Sequence, residues 1–284
     1  MSNRLRISLV IPVYNEESHL ADCLHTVFSQ IEPFQEVIVV DNNSSDATVA
    51  IATSFPGVTV LYEPRQGVVY GRNRGFEAAS GDIIARIDAD THLPADWTQQ
   101  ITELFREDAV AALSGGISYY DIAAHQVVDA VDKRVRGWMA RKMSNRMFLL
   151  GSNMAIRRAA WQKVSPLLCT TAGLHEDLDL AAHLSNIDAR VIFAPQLLVG
   201  VSGRRVDTNI VDFVRYLRSL PQTYLAHSIP EARYMYPAAA IVLFHYLPLR
   251  ILFRGYDDQL KTFRVSQLLA LQQPQRVNPT LFVD

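Results

Sequence analysis

The sequence is poor in cysteine, with Cys23 and Cys169 the two in 284 residues. They make neither a disulfide framework nor a zinc pattern, and Cys23 lies among apolar residues at helical spacing, the setting of a buried free thiol. A reducing compartment follows, and a cytoplasmic location is expected. Charge of one sign is scarce too: the formal net charge is −2, which leaves no electrostatic footprint for nucleic acid. The longest apolar run, residues 237–247, is too short to span a bilayer, contains His245, and is followed by Pro248 and Arg250. No signal-peptide pattern is expected, since Arg4 and Arg6 lead only into residues 7–13 and then Asn-Glu-Glu. Two phosphate-binding signatures are also missing. The first strand–helix turn carries Pro-Val-Tyr-Asn-Glu-Glu where a dinucleotide site needs Gly-x-Gly-x-x-Gly, and Gly-x-x-x-x-Gly-Lys-Ser/Thr does not occur. Asp41 could imitate the ribose-binding acid of a dehydrogenase, but without those glycines that reading fails.

What is present reads as a folded globular chain, 49% hydrophobic and 20% charged, long enough for one large domain or one and a half. Short apolar, β-branched runs at residues 7–13, 36–40, 58–61 and 83–87 alternate with helical spacing over 20–31, from Asp46, and over 67–79. Four strand–helix alternations predict a parallel α/β sheet. Asn15 or Ser18 is the expected cap of the first helix. Beyond Thr91 the spacing predicts a helix opened by Pro94, a strand at 110–113 ended by Ser114-Gly-Gly, and a long helix through Val127 and Met139. A strand at 149–156 then carries a kink at Gly151, where a ligand could approach closely. A short helix at 157–164, a helix opened by Glu176 and Asp177, a strand at 190–194 and a helix through Phe213 and Leu217 complete the pattern. Residues from about 272 onward show little periodicity and read as loosely held.

Polar clusters sit at three predicted strand ends: Tyr14-Asn15-Glu16, Asp41-Asn42-Asn43-Ser44 and Asp88-Ala89-Asp90. Ligands of open α/β sheets bind at those ends, which argues for a nucleotide-type site. Asp88 and Asp90 end a buried strand, where two carboxylates are costly unless a cation or donors face them. Hard oxygen ligands suit Mg²⁺ or Mn²⁺, completed by substrate phosphates. The plainer alternative has Asp90 capping the helix after Pro94 with Asp88 in solvent. Glu176 and Asp177 have a plain reading as well, favourable charge at a helix N-terminus, worth about 0.3–1 kcal/mol. Arg204 and Arg205 could offer planar donors to a phosphate or an acidic acceptor, but a solvated surface pair is the simpler account. His92, His175, His183 and His227 could each complete a metal shell, and none is assigned.

Six stretches carry a resemblance in order and rough spacing: Ser8-Leu-Val-Ile-Pro-Val-Tyr-Asn-Glu-Glu, Glu36-Val-Ile-Val-Val-Asp-Asn-Asn-Ser-Ser-Asp, Gly71-Arg-Asn-Arg-Gly, Ile87-Asp-Ala-Asp-Thr, Gly151-Ser-Asn-Met-Ala-Ile-Arg-Arg and His175-Glu-Asp-Leu-Asp-Leu. Together they resemble family 2 glycosyltransferases of the GT-A fold. The resemblance implies a mixed, mainly parallel sheet flanked by helices, with a helical C-terminal region. It implies that Pro12, Tyr14 and Glu16 wall the nucleotide and that Asp41 binds the base with Asn43 or Ser44 nearby. Arg72 would lie by the base or diphosphate. Asp88 would lie towards the ribose with Ala89 beside the nucleotide, and Asp90 would hold the metal together with Asp88. Asp177 would be the catalytic base, with Glu176 its partner in the pair. The absence of Gln-x-x-Arg-Trp sets the chain apart from processive polysaccharide synthases.

The expected division is a nucleotide-sugar domain at 1–205 and a helical extension at 206–284. The expected partners are a nucleoside-diphosphate sugar and a saccharide or lipid-linked acceptor, with inversion at the anomeric carbon. Two alternatives stay open: a sugar nucleotidyltransferase, and a module of the same fold that binds without turnover. Residues 237–253 are apolar and followed by Arg254. They fit a core helix or a homodimer contact, or a segment resting on the inner face of a membrane.

Overall fold

The computed structural model describes residues 5–143, 148–171, 173–257 and 260–269. The expected loose tail from about residue 272 lies outside them. Strand and helix alternate as the apolar spacing predicts: β1 Ile7–Val13, α1 Leu20–Phe28, β2 Glu36–Asp41, α2 Thr48–Ser54, β3 Val58–Tyr62, α3 Val68–Ala78 and β4 Ile83–Arg86. There follow α4 Trp97–Leu104, β5 Val110–Tyr119, α5 His125–Met143, β6 Met154–Arg157, α6 Arg158–Val164, α7 Glu176–Asn186 and β7 Arg190–Val201. Three helices come last, α8 Ile210–Ala226, α9 Met235–Phe244 and α10 Tyr246–Arg254.

The strands form one seven-stranded sheet in the order β3-β2-β1-β4-β6-β5-β7. Only β6 runs antiparallel to its neighbours β4 and β5. Because β1 pairs with β2 on one side and β4 on the other, their three polar carboxyl ends are brought side by side. Strand alternation supplies both faces of the sheet. Leu9, Ile11, Val37, Val39 and Ala85 pack with Leu24 and Trp97 on one face. Val10, Ile38, Val40 and Ile84 pack with Phe76, Trp161 and Leu180 on the other. Gly75 lets α3 press onto that second face: a Cβ there would lie 2.9 Å from Val40 Cγ2 and closer still to Val10 Cγ1.

Several expected boundaries move, each for a packing reason. β5 does not stop at Ser114 but runs through Gly115 and Gly116 to Tyr119. Asn153 crosses this stretch: its Nδ2 donates to Gly116 O and Leu197 O at 2.8 Å, and a Cβ at Gly115 would meet it, while a Cβ at Gly116 would lie 2.8 Å from Pro195 O of β7. β6 begins at Met154, since residues 149–153 form a turn. β7 continues to Val201, with a register shift against β5 at Gly115 and Gly116. The helix α1 starts at Leu20 and has no side-chain cap; Asn15 instead takes the left-handed conformation at φ +52°. The helix expected at Pro94 starts at Trp97. The division expected at 205 falls inside a 3₁₀ turn, Arg204–Asp207. Among the described residues no single helix is long and apolar enough to cross a membrane, although the bent pair Pro230–Phe244 and Tyr246–Arg254 passes that test together, with a 46° bend.

Candidate active site

The loops after β1 and β2 are zipped together by backbone donors and short polar side chains. Asn15 N donates to Ser44 Oγ at 3.0 Å, Ser45 N to Asn15 Oδ1 at 2.8 Å, and Glu16 N to Thr48 Oγ1 at 2.7 Å. Asp41 is buried and accepts from Ser44 N at 3.1 Å. Asn43 adopts φ +69°, a conformation asparagine tolerates, and its Nδ2 donates to Pro64 O at 2.8 Å. Pro12, Tyr14 and Asn43 stay partly open beside these anchors. The β1 and β2 ends thus form a rigid wall.

Next to it lies a buried charge cluster organised by Arg86, the last residue of β4. Its side chain is 3% exposed. Nη1 pairs with Asp177 Oδ1, while Nη2 reaches Glu176 Oε1 at 3.1 Å and Asp88 Oδ1 at 3.4 Å. Asp177 Oδ2 accepts from Gly151 N at 2.8 Å. Gly151 therefore makes room for the protein's own charges, because a Cβ there would lie 2.6 Å from Asp177 Oδ2. The expected role of a ligand approach at that glycine is replaced by this one. Two adjacent buried acids cannot share one environment. Burial would raise Glu176, but His175, Arg86 and Arg72 outweigh it and bring it down to about 2. Burial raises Asp177, Arg86 opposes the shift, and the neighbouring Glu176 charge adds to it.

Arg72 departs from its expected place. It is fully buried, its Nε donates to Asn73 Oδ1 at 2.7 Å and its Nη1 to Glu176 O at 3.3 Å. Phe76 and Trp161 face its guanidinium. It supports the acid pair from behind, bonded to the backbone of Glu176.

On the other side of Ala89, Asp90 meets Arg204. Arg204 Nε lies 2.6 Å from Asp90 Oδ2, and Nη1 and Nη2 each lie 2.8 Å from a Glu16 oxygen. Burial would lower the Arg204 pKa, but Asp90 and Glu16 outweigh it and raise it. Asp121 fixes the approach, accepting from Gly203 N at 2.7 Å and from Ser202 Oγ at 2.5 Å. The surface-pair account of Arg204 and Arg205 is therefore wrong for both: Arg205 lies 4.3 Å over the Tyr216 ring. Sequence offered no local signal for the Glu16–Arg204 contact, and Arg86 was hidden in an apolar run.

Asp88, Asp90, Glu176, Asp177 and Arg205 line one cavity of about 290 Å³, with apolar walls from α5, α8 and α9 such as Met139, Leu217 and Met235. Pro12, Tyr14, Glu16, Asp41 and Asn43 do not line it, so the wall and the cavity are separate surfaces, joined by Arg204 between Glu16 and Asp90. The donor set at Asp88 and Asp90 is oxygen only, the Asp88 side chain is 25% exposed, and a cationic guanidinium already sits on Asp90. These residues fit Mg²⁺ or Mn²⁺ completed by phosphate oxygens. Of the four histidines, His92 is stacked on Tyr120 at 4.3 Å, His175 lies against Glu176, and His183 and His227 face Asp179.

The family described as glycosyl transferase family 2 matches residues 8–165. Glycosyltransferase AglE of Haloferax volcanii is 30% identical over 167 residues, covering 56% of this chain and 55% of that protein. An undecaprenyl-phosphate 4-deoxy-4-formamido-L-arabinose transferase of Sodalis glossinidius is 27% identical over 145 residues, covering 46% of this chain and 44% of its own length. The chain thus spans about half the length of these relatives. A solved mannosyltransferase from Pyrobaculum calidifontis, in complex with GDP-Man and Mn²⁺, superposes with TM-score 0.67 at 20% identity, covering 87% of this chain and 74% of its own. The sheet and its flanking helices are the GT-A fold.

Removing Arg86 tests the cluster. Arg86→Ala leaves Glu176 and Asp177 buried without their main cation, and the expected loss is about 3–5 kcal/mol in urea unfolding. Arg86→Lys, which keeps charge but not the forked geometry, falls between. In the alanine variant the folded-state carboxyl pKa values rise above their unfolded values. Stability is then retained below the unfolded pKa, about 4, and is lost as pH rises through the folded pKa. The deficit must be larger at pH 8 than at pH 5. An equal deficit at both would mean the acids do not depend on Arg86.

Proposed function

The chain belongs to glycosyl transferase family 2, and on that footing we propose that it moves a sugar from a nucleoside-diphosphate donor to an acceptor hydroxyl, with inversion and with Mg²⁺ or Mn²⁺. One observation carries the reading: Arg86 joins the strand-end Asp88 to the helix-start acids Glu176 and Asp177 in a single cluster along one cavity. The first 205 residues supply the donor site, and α8, α9 and α10 of the 206–284 extension cover the acceptor side. Tyr14, Asp41 and Asn43 wall the nucleoside, with Pro12 and Glu16 beside them and Asp88–Ala89 under the ribose. Asp90 and Asp88 hold the cation, which when bound neutralises charge on the departing diphosphate. Arg204, fixed between Asp90 and Glu16, adds a preorganised guanidinium next to that charge.

Asp177 takes the acceptor proton. Its raised pKa makes it the better base of the pair, while Glu176 stays anionic at about 2. Arg86 and Gly151 N each occupy one carboxylate oxygen, and each oxygen keeps a second lone pair for the acceptor hydroxyl. Such proton transfer contributes about 10²–10⁴-fold. Attack from the side opposite the diphosphate inverts the sugar.

The acceptor is lipid-linked. Arg205 shares the cavity with apolar side chains of α5, α8 and α9, and with Arg136 paired to Asp132 at 2.6 Å; the Arg205 guanidinium suits an anionic group joined to a hydrocarbon chain. Phe244, Leu247 and Ile251 on α9 and α10 are 80%, 66% and 51% exposed, a face that could rest on the cytoplasmic leaflet of a membrane. The Sodalis relative, by its name, acts with undecaprenyl phosphate.

Calorimetry with UDP, GDP, CDP and dTDP sugars tests the donor site. Asp90→Ala abolishes Mn²⁺-dependent nucleotide affinity and leaves circular dichroism unchanged; undiminished affinity would sink the metal assignment. Asp177→Asn keeps donor binding but lowers kcat by at least about 10²-fold. Because the base must be deprotonated, the acidic limb of kcat/KM in the native enzyme lies above the ordinary aspartate value of 3.8. A near-normal kcat in the asparagine variant would move the role to Glu176. Replacing Phe244, Leu247 and Ile251 with serine abolishes co-sedimentation with anionic liposomes at low salt. A native protein that stays in the supernatant rules out the membrane face.

A further inference from the structure

We propose that Cys169, Asp179, His183 and His227 form a structural zinc site behind the helix that carries the acid pair. One ligand atom from each of these four residues lies within 4.8 Å of the others. They come from three segments: the stretch after α6, the helix α7, and the residue that caps the C-terminus of α8. Asp179 and His183 stand four residues apart on α7, hence on one face of the helix. Asp177 and Asp179, two residues apart, point about 200° apart around the same helix. The cluster therefore faces away from the cavity, whose lining includes Asp177 but not Asp179.

The donor set selects the metal. One sulfur, two imidazole nitrogens and one carboxylate, four in number, suit a closed tetrahedral Zn²⁺ site. Hard cations such as Mg²⁺ would not choose a thiol. The geometry is near what bonding requires. Asp179 Oδ1 lies 2.8 Å from His227 Nε2 and 3.6 Å from His183 Nε2, and the two imidazole rings stand at 78° with centroids 4.7 Å apart. Ligand atoms around zinc with bonds of about 2.0–2.3 Å sit about 3.3–3.8 Å from one another; the 3.6 Å His183 separation already fits, the 2.8 Å His227–Asp179 hydrogen bond would open by about 0.5 Å, and the remaining pairs, all within 4.8 Å, would draw in.

Hydrogen bonding alone accounts for only part of the cluster. Asp179 is fully buried and accepts from Cys169 N at 3.0 Å and contacts His227. His183 Nε2 is buried yet has no hydrogen-bond partner among the described residues, a costly state for an imidazole nitrogen. Burial lowers the pKa of His183, which keeps it neutral as a ligand must be. Without a cation, burial and Asp179 push the Cys169 thiol up to about 11. A bound zinc reverses that shift, because a coordinating thiol loses its proton outright. The site has no sequence spacing to betray it, since its ligands gather from residues 169 to 227.

The test uses the purified full chain under reducing conditions. Elemental analysis finds about one zinc per chain retained through gel filtration, and Co²⁺ exchanged into the site gives a thiolate charge-transfer band. Cys169→Ser loses the band and His227→Ala loses the metal, while Asp90→Ala keeps both. At a hundredfold excess over Kd, zinc raises Tm by about 5–10 °C, and the serine variant loses most of that rise. No band in the native chain overturns the proposal, whatever the variants do. So does zinc that survives Cys169→Ser and disappears with Asp90→Ala, since that metal would belong to the donor site. Failure of sugar transfer would leave these readouts untouched.

Discussion

A guanidinium sealed among three carboxylates is the constraint to which the site answers. Asp88, Glu176 and Asp177 could not share a low-dielectric space without Arg86, because removing water from like charges costs several kcal/mol per ion. Arg86 belongs to the sheet, and Glu176 and Asp177 belong to α7. Their pairing therefore fixes how the helix sits on the strand ends, and that placement aims the acid pair at the cavity. Arg72 completes the arrangement from below, stacked against Phe76 and Trp161 and bonded to Glu176 O. The requirement explains Gly151, whose missing side chain leaves space for the Arg86–Asp177 contact and whose N–H satisfies the second oxygen.

A second guanidinium repeats the logic on the other side of Ala89. Arg204 spans Asp90 and Glu16, so the two aspartates of the strand-end pair are compensated by different arginines from different parts of the chain. Each group keeps an excess of negative charge, which is where a divalent cation gains most. The turn that carries Arg204 also carries Asp207, which pairs with Arg250 and Arg254 of α10. One short turn thus connects Asp90 and Glu16 to the apolar terminal helices.

Much of the fold was legible from apolar spacing. The first four strands and the helices between them follow from β-branched runs and 3.6-residue periodicity, and the three polar ends follow from those strands. What escaped was long-range. Gly115 and Gly116 read as a strand terminator because glycine usually ends strands; here Asn153, from the turn before β6, leaves no room for a side chain at Gly115, and Pro195 O of β7 leaves none at Gly116. Arg86 was masked by Ile84 and Ile87 on either side. Arg204 and Arg205 looked solvated because Glu16, Asp90 and Tyr216 are not their sequence neighbours. Arg72 was placed by resemblance on the nucleotide, and its burial between α3 and α7 depends on Trp161, a contact no local window contains.

The helix α7 shows why position along a helix matters more than residue type. Residues 176–182 are all buried, so the first two turns of α7 have no solvent face on which to leave an unpaired charge, and every acid there needs a partner. Glu176 and Asp177 find Arg86 at the strand end. Leu180 and Leu184 pack on the sheet. Asp179 turns to the opposite side, towards His183 and His227. Three acids within four residues thus enter two different environments, and only the 100° step between successive residues separates them. Inserting or deleting one residue between Asp177 and Asp179 would turn Asp179 and His183 by about 100° relative to the acid pair. The spacing of His-Glu-Asp-Leu-Asp-Leu is therefore a packing constraint as much as a chemical one.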